Sequence, residues 1–166
     1  MILVVTGPPA AGKSTIGPIV AKMQDKCAVI DVDLLRAMIV KPHVPPWEGE
    51  EGRKQLDLGV ENGCVLARNF NDAGFQVVIL DVLTNATAAT YRNSLSDLGL
   101  NIALLLPTVG TALERNHQRG QWLKDSEVEL LYQWQLELVD FDIKIDNSNL
   151  SIEEAAHQLF CYIDRL

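Results

Sequence analysis

The chain has 166 residues, about the length of one domain, of which 48% are hydrophobic and 22% charged. These proportions are typical of a folded globular protein and argue against a disordered chain. The formal net charge of −8 argues against a broad nucleic-acid interface, because such a surface repels phosphodiester backbones, but it leaves room for a small anionic ligand at a locally positive site.

Apolar, β-branched runs alternate with helical patterns along the chain. The sequence predicts strands at 2–6, 28–31, 76–81, 102–106 and 141–145. Helices are predicted between them, at 13–24, 34–39, 53–73, 87–98, 109–119, 127–139 and 151–163. Residues 77–80 are apolar without alternation, which indicates a central strand covered on both faces. Three prolines within 41–49 exclude regular structure there. This order predicts an α/β fold with a parallel sheet.

The stretch directly after the first predicted strand fits the pattern G-x-x-x-x-G-K-[ST] at every position. Its two glycines allow a tight turn that brings bare backbone N–H groups against phosphate oxygens. The helix that follows points the positive end of its dipole at the same anion. Lys13 is expected to reach the β- and γ-phosphates, and the Ser14 hydroxyl to ligate Mg²⁺. The predicted nucleotide contacts are Gly7, Pro8, Pro9, Ala10, Ala11, Gly12, Lys13, Ser14 and Thr15.

Acidic residues follow two further strands at the edge expected to face the phosphates. Asp31 and Asp33 come at the end of the second strand, and a spacing of two places them on the same side if extended structure continues. A carboxylate there can orient an acceptor hydroxyl, take its proton or hold a metal-bound water. The alternative is that one of them only caps the helix beginning near Leu34. Asp81 ends the third strand, where it can accept from Mg²⁺-bound waters or from Ser14.

Arg115 and Arg119 lie four residues apart and therefore share one face of a late predicted helix. Two like charges there repel each other unless an anion lies nearby, and a γ-phosphate during transfer is such an anion. The alternative is pairing with Glu114 or Asp125, or simple solvation.

Together, the phosphate loop, the Asp31-x-Asp33 pair and the Arg115-x-x-x-Arg119 pair resemble the small P-loop kinases. These include shikimate and gluconate kinases, chloramphenicol phosphotransferase and nucleoside monophosphate kinases. The order of elements matches over nearly the whole chain, and the phosphate loop is its specific motif. The Pro-Pro-Trp-Glu segment at 45–48 is also similar to uncharacterised bacterial kinase-like proteins.

The resemblance implies the P-loop NTPase fold, a three-layer sandwich around a five-stranded parallel sheet in the order 2-3-1-4-5. It implies one domain, 1–166, with a substrate-side insertion at about 41–52 and a mobile lid over ATP at about 115–126. The family lid often carries more arginine than this chain, whose segment 120–125 adds only Lys124.

The resemblance also assigns roles to single residues. Asp33 is the candidate catalytic base or substrate-orienting group, and Asp31 shares the metal shell. Asn147 lies in a stretch that resembles the loop that holds adenine. Arg36 is placed to meet an anionic acceptor, unless it is a solvated surface arginine. Trp47 is placed to close over a flat or apolar substrate, unless its loop packs on the core.

Other classes are disfavoured by what the sequence lacks. No N-K-x-D or T-K-x-D segment is present to recognise guanine, and no D-x-x-G follows a strand to sense a γ-phosphate, which disfavours a GTP-dependent switch. Three scattered cysteines form no C-x-x-C pair, which predicts reduced core thiols in the cytoplasm and neither disulfides nor a zinc site. The short N-terminal apolar run predicts a strand and not a signal peptide or a membrane span.

The sequence therefore predicts a cytoplasmic phosphotransferase that uses ATP and Mg²⁺ to phosphorylate a hydroxyl of a small molecule, without nucleic-acid or membrane partners. A regulatory ATP-binding or ATPase module without a metabolite acceptor is the alternative. A third hypothesis, a polynucleotide-end kinase, is opposed by the acidic balance. The identity of the acceptor and the oligomeric state are not encoded in any motif, because specificity depends on pocket shape.

Overall fold

The computed structural model describes residues 1–164, so the predicted domain end at 166 lies outside the described residues. The strands are β1 (Ile2–Thr6), β2 (Cys27–Asp31), β3 (Gln76–Leu80), β4 (Leu100–Leu105) and β5 (Ile143–Ile145). The helices are α1 (Lys13–Lys22), α2 (Val32–Ala37), α3 (Gly49–Asp72), α4 (Asn85–Ser94), α5 (Val109–Gln118), α6 (Asp125–Glu137) and α7 (Ile152–Ile163). Within this range no helix has both the length and the apolar character needed to cross a membrane.

The strands are all parallel and lie in the order β2-β3-β1-β4-β5. Fold class, parallel sheet and strand order therefore agree with the predictions. Alternate side chains of β1 enter two separate cores: Ile2 and Val4 pack with residues of α3 and α4, whereas Leu3 and Val5 pack with residues of α1 and α7. Because helices cover both faces, the central strands are apolar over most of their length, as in residues 2–5 and 77–80.

Two predicted boundaries are wrong in ways that affect the site. The helix α3 begins at Gly49 and not at 53. Glu50 and Glu51 occupy its first turn, where the positive end of the helix dipole stabilises their negative charges. The last part of the predicted insertion is therefore helical. The helix α2 begins at Val32 and not at 34, so extended structure does not continue beyond Asp31.

The carboxyl ends of the parallel strands meet at one edge of the sheet, and the predicted site residues follow these ends. The phosphate loop joins β1 to α1, Asp31 ends β2, Asp81 follows β3 and Asn147 follows β5. The topology thus brings together residues that are far apart in the sequence.

Candidate active site

The phosphate loop between β1 and α1 folds tightly over its own lysine. Lys13 is 9% exposed, and its ammonium donates to the carbonyl oxygens of Gly7 at 2.7 Å and Pro8 at 3.1 Å. Burial lowers the pKa of Lys13, while the Asp33 and Asp81 carboxylates oppose that shift. The ammonium is therefore held at the centre of the loop, with acidic residues near it.

The glycines of the loop are required by its geometry. A Cβ at Gly7 would lie 2.3 Å from the carbonyl oxygen of Leu105, a backbone atom that cannot move away easily. Gly12 has a φ of 98°, which disfavours any larger residue. Ala10 also adopts a positive φ, of 60°, so the loop is strained at a position that lines the site. The bare, curved backbone fits the phosphate cradle predicted from the sequence.

Asn147 braces the loop from the end of β5. Its amide nitrogen donates to the carbonyl oxygen of Ala11 at 2.8 Å, and its own backbone carbonyl accepts from Arg115 at 2.9 Å. The side chain is 3% exposed, and its Oδ1 is buried without a partner within residues 1–164. An unsatisfied buried acceptor beside the loop suits a ligand that brings a donor.

A small open pocket of about 220 Å³ lies on this side of the loop. Its wall combines Ile16, Leu150 and Ile152 with the polar groups of Asn147 and Arg115. An apolar wall with a few polar groups fits part of a nucleoside, so the pocket and the loop together fit ATP.

Asp31, at the end of β2, and Asp33, in the first turn of α2, form different contacts. Asp31 caps α2 by accepting from the backbone N–H of Asp33 at 3.0 Å. Burial and the nearby Asp33 carboxylate raise the pKa of Asp31. Asp33 instead pairs with Arg36 one turn further along α2. Both acids line the large cleft described below. The condition of continued extended structure is not met, since the helix begins between them, and the alternative of a helix cap holds for Asp31.

Asp81 lies almost completely buried under the site, at 2% exposure. One carboxylate oxygen accepts from the N–H of Val82 at 2.7 Å and the other from the hydroxyl of Tyr91 at 3.0 Å. Burial, reinforced by the Asp33 carboxylate, raises the pKa of Asp81 to about 6. Tyr91 is a site residue that the sequence analysis missed, because nothing in its helix shows that it faces an acid on a neighbouring strand.

The acids do not form a metal site of their own. Across residues 1–164, no three His, Cys, Asp or Glu side chains converge on a possible metal position. Ser14 is exposed, and it lines the same cleft as Asp31 and Asp81. This arrangement fits Mg²⁺, which keeps several waters and takes its other ligands from one or two protein groups and from phosphates.

A second buried network, also missed by the sequence analysis, joins helix α6 to the base of the phosphate loop. The Thr6 hydroxyl donates to Oε1 of Gln135 at 2.9 Å and accepts from the N–H of Leu83 at 3.0 Å. Gln135, which is 1% exposed, donates in turn to the carbonyl oxygen of Leu83 at 2.7 Å. The ring of hydrogen bonds fixes the ends of β1 and β3 relative to α6.

The two predicted phosphate arginines lie beside the loop. Arg115 binds the Asn147 carbonyl, and Arg119 donates to the Thr15 hydroxyl at 3.4 Å. In the described part of the chain neither forms an ion pair, and Asp125 instead contacts His117 at 2.7 Å. Arg119 lines both the small pocket and the large cleft, so it stands where the two meet.

A cleft of about 930 Å³ opens on the other side of the loop. It brings together every predicted acid and acceptor residue with the loop itself: Lys13, Ser14, Asp31, Asp33, Arg36, Trp47 and Asp81. The segment before α3 supplies the far wall, and the connection between α5 and α6 supplies Trp122, which is 88% exposed.

Comparisons with known proteins support the fold. The sequence matches no protein-family model, and it matches no curated protein sequence. Similar solved structures include a tunicamycin resistance protein of Deinococcus radiodurans, at 19% identity and a TM-score of 0.68, which covers 98% of this chain and 94% of that chain. A gluconokinase of Sinorhizobium meliloti has 20% identity and a TM-score of 0.70, covering 98% and 91%.

A shikimate kinase of Acinetobacter baumannii, solved in complex with shikimate, has 16% identity and a TM-score of 0.67, covering 99% of this chain and 93% of that chain. These similarities extend over nearly the full length of both partners. The chain therefore has the fold of the small P-loop kinases, as its sequence motifs predict.

Proposed function

We propose that this protein is an ATP-dependent phosphotransferase that moves the γ-phosphate of ATP to a hydroxyl of a small molecule. One observation carries the proposal: the phosphate loop separates a small pocket from a much larger cleft, and Ala10 and Arg119 line both. An ATPase needs only the first of these spaces, whereas a kinase needs a second one that reaches the same phosphate.

The nucleotide side of the site binds and orients the triphosphate. The backbone N–H groups of the loop, Gly7 to Thr15, and the Lys13 ammonium bind its phosphates, and the Asn147 region holds the nucleoside. Arg115 and Arg119 stabilise charge on the phosphoryl group as it moves. Mg²⁺, when bound, neutralises part of the phosphate charge, and Ser14, Asp31 and Asp81 are the residues that would hold it.

The acceptor side of the site activates a hydroxyl. Asp33 accepts the proton of the acceptor hydroxyl, the acceptor oxygen forms a bond to the γ-phosphorus, and the bond from that phosphorus to the bridging oxygen of ADP breaks. Arg36, paired with Asp33, fixes the direction of the carboxylate. Trp47 and the residues around it contact the body of the acceptor.

Segment roles follow from the same division. We propose that residues 41–52 form a substrate-side insertion and that 115–126 acts as the lid within a single domain. Similar structures by name include a gluconokinase and a shikimate kinase, both named for small-molecule substrates. A third similar structure is named for resistance to another small molecule, tunicamycin.

The test is a screen of hydroxylated compounds with ATP and Mg²⁺, in which phosphorylated product is detected by its mass and compared with the ADP formed. The proposal requires equal amounts of both. Release of inorganic phosphate without a phosphorylated product, with every acceptor tried, would instead identify an ATPase. Labelling of oligonucleotide 5′ ends would identify a polynucleotide kinase.

A further inference from the structure

The wall of the large cleft opposite the phosphate loop is apolar and aromatic. We define the acceptor wall as the apolar cleft residues that lie away from the loop: Leu34, Ala37, Pro45, Pro46, Trp47, Leu56, Val82, Trp122, Leu123 and Leu131. The polar side chains of His43 and Asn116 also line the cleft. Proline rings and an indole offer flat faces, and a ligand that covers them removes apolar surface from water.

The wall is held in place before any ligand binds. Gln55, which is 4% exposed, accepts from the N–H of Val44 at 3.0 Å and donates to the carbonyl oxygen of Pro42 at 2.8 Å. A Cβ at Gly52 would lie 2.1 Å from the carbonyl oxygen of Pro45, so the segment packs directly on the backbone of α3. The prolines and Trp47 therefore form a fixed surface and not a loose flap.

The cleft has no cation available for an anionic acceptor. Its lining in the described chain holds three cations, Lys13, Arg36 and Arg119, and four carboxylates, Asp31, Asp33, Asp81 and Glu127. Lys13 and Arg119 adjoin the phosphate loop, where the triphosphate binds. With the triphosphate on Lys13 and Arg119 and Mg²⁺ on Asp31 and Asp81, the charged lining that remains in the described chain is Arg36, Asp33 and Glu127, which is two carboxylates to one cation. Arg36 pairs with Asp33.

Arg36 is also fixed where it lies. Its side chain is 17% exposed, and its stem rests on α3 at Gly59, where a Cβ would approach Arg36 Cγ to 2.7 Å. Turning the guanidinium toward an acceptor would separate it from Asp33, whose side chain is 60% exposed, and would lift its stem off α3. Arg36 therefore pairs with Asp33 through a terminal nitrogen, and its Nε, which has no partner within residues 1–164, is too deeply buried to meet an acceptor.

We propose that the acceptor is an uncharged compound that joins its hydroxyl to a flat apolar body, and that carboxylate and phosphate compounds are excluded. This inference rests on the proposed function, since it names the acceptor class of the same site. The apolar ring and the charge of a compound contribute separately to its binding. The acceptor wall binds the ring, and the surplus of carboxylates repels an anion.

Matched compounds test the two contributions separately. Binding to the full-length protein, saturated with Mg²⁺ and a non-hydrolysable ATP analogue, is measured by calorimetry for phenyl β-glucoside, phenyl β-glucuronide and methyl β-glucoside. Phenylpropanediol, phenyllactate and propanediol form a second set of the same design. We expect the uncharged ring compound of a set to bind at least about tenfold more tightly than either partner, a difference of about 1.4 kcal/mol.

Transfer from ATP to the same compounds is then measured by mass. Tighter binding of the uncharged ring compound without any phosphorylated product would support the inference and contradict the kinase proposal. Preferred binding or phosphorylation of the carboxylate compounds would overturn the inference and leave the kinase proposal standing. Equal affinity within both sets, or no binding in either, would also overturn it.

Two variants sharpen the result. Trp47→Ala is expected to weaken the binding of phenyl β-glucoside about tenfold and to leave methyl β-glucoside unaffected. Trp134→Ala, which removes a half-buried tryptophan outside the cleft, is the matched control and keeps the wild-type preference. Asp33→Asn releases Arg36 from its ion pair, so phenyl β-glucuronide should bind to this variant about tenfold more tightly than to the wild type. An unchanged affinity for the glucuronide would contradict the role given to the ion pair.

Discussion

The phosphate loop is one continuous stretch, Gly7 to Thr15, whereas the acceptor cleft collects side chains from between Asp31 and Leu131. The loop presents mainly backbone groups, and it needs its glycines because a Cβ at Gly7 would meet the Leu105 carbonyl oxygen and because Gly12 has a positive φ. The cleft presents side chains, and it depends on the packing that fixes them. The recognition of phosphate is therefore local and general, while the recognition of an acceptor is distributed and specific to this chain.

The largest effect is expected from Lys13→Ala, which removes the positive charge at the centre of the loop. We expect phosphotransfer to fall at least about a thousandfold, because the lysine stabilises charge that develops in transfer. The fold should survive, since the loop backbone carries its own hydrogen bonds. Product formation and circular dichroism measure the two outcomes. Lys22→Ala, at the exposed end of α1, is the control and should have wild-type activity. Unchanged turnover in Lys13→Ala would end the proposed mechanism.

The next largest effect is expected from Gly7→Ala, which tests whether ATP binding depends on the shape of the loop backbone. In Gly7→Ala the new methyl group would lie 2.3 Å from the Leu105 carbonyl oxygen, so the loop must move. We expect a loss of about 2 kcal/mol in the free energy of unfolding and a loss of ATP binding. Gly110→Ala, where no atom lies within 4 Å of the added Cβ, is the matched control and should change stability by at most about 1 kcal/mol. ATP affinity equal to that of the wild type in Gly7→Ala would show that the loop is not the phosphate site.

A third prediction concerns the acid shared by loop and cleft. The pKa of Asp81 is raised from 3.8 to about 6 by burial, so the unfolded chain releases this proton at lower pH than the folded protein. Stability contributed by this group is therefore present below pH 4 and lost as the pH rises to about 6, by about 3 kcal/mol at most. Asp81→Asn lacks this dependence, so its stability relative to the wild type should rise over that interval.

The measurement is the free energy of unfolding of both proteins between pH 4 and pH 7, without nucleotide or metal. Asp97→Asn is a control without this dependence: the hydrogen bond from Arg68 lowers the pKa of Asp97, so the stability that this group contributes is complete above pH 4 and the difference from the wild type should stay constant from pH 4 to pH 7. Parallel curves for the wild type and Asp81→Asn would mean that the carboxylate is not penalised by burial.

The smallest effect separates the cleft from the loop. Gly59→Ala places a methyl group 2.7 Å from Arg36 Cγ, which displaces the arginine and with it Asp33. We expect the KM for the acceptor to rise about tenfold, because an Asp33 carboxylate displaced by a fraction of an ångström orients the hydroxyl of the acceptor poorly. ATP affinity should stay as in the wild type. Val65→Ala, on the exposed face of the same helix, is the control. A change in ATP affinity instead would show that loop and cleft are not separable.

Local and periodic features of the site could be predicted from the sequence. The phosphate loop is consecutive, and the parallel strands follow from apolar runs that alternate with helices, so α/β class, loop and sheet edge were all predicted. The strand order came from the resemblance to the small P-loop kinases. The position of Asp31 and Asp81 at the ends of strands is a consequence of the same pattern.

Contacts between distant residues could not be predicted in this way. Tyr91 donates to Asp81 from a different element, and Gln135 reaches Thr6 across the molecule. From the sequence, Arg36 was either a group that meets an anionic acceptor or a solvated surface arginine. Only the structure shows that it pairs with Asp33 and that its stem packs against Gly59. Spacing placed Asp31 and Asp33 on one side only if extended structure continued, and the structure begins α2 between them, at Val32.

The sequence by itself predicted where phosphate would bind, because bare amides, two glycines and one lysine need only their immediate neighbours to form a cradle. The tertiary structure decided what the cleft presents to an acceptor, because burial and the pairing of charges depend on which helices pack beside the sheet.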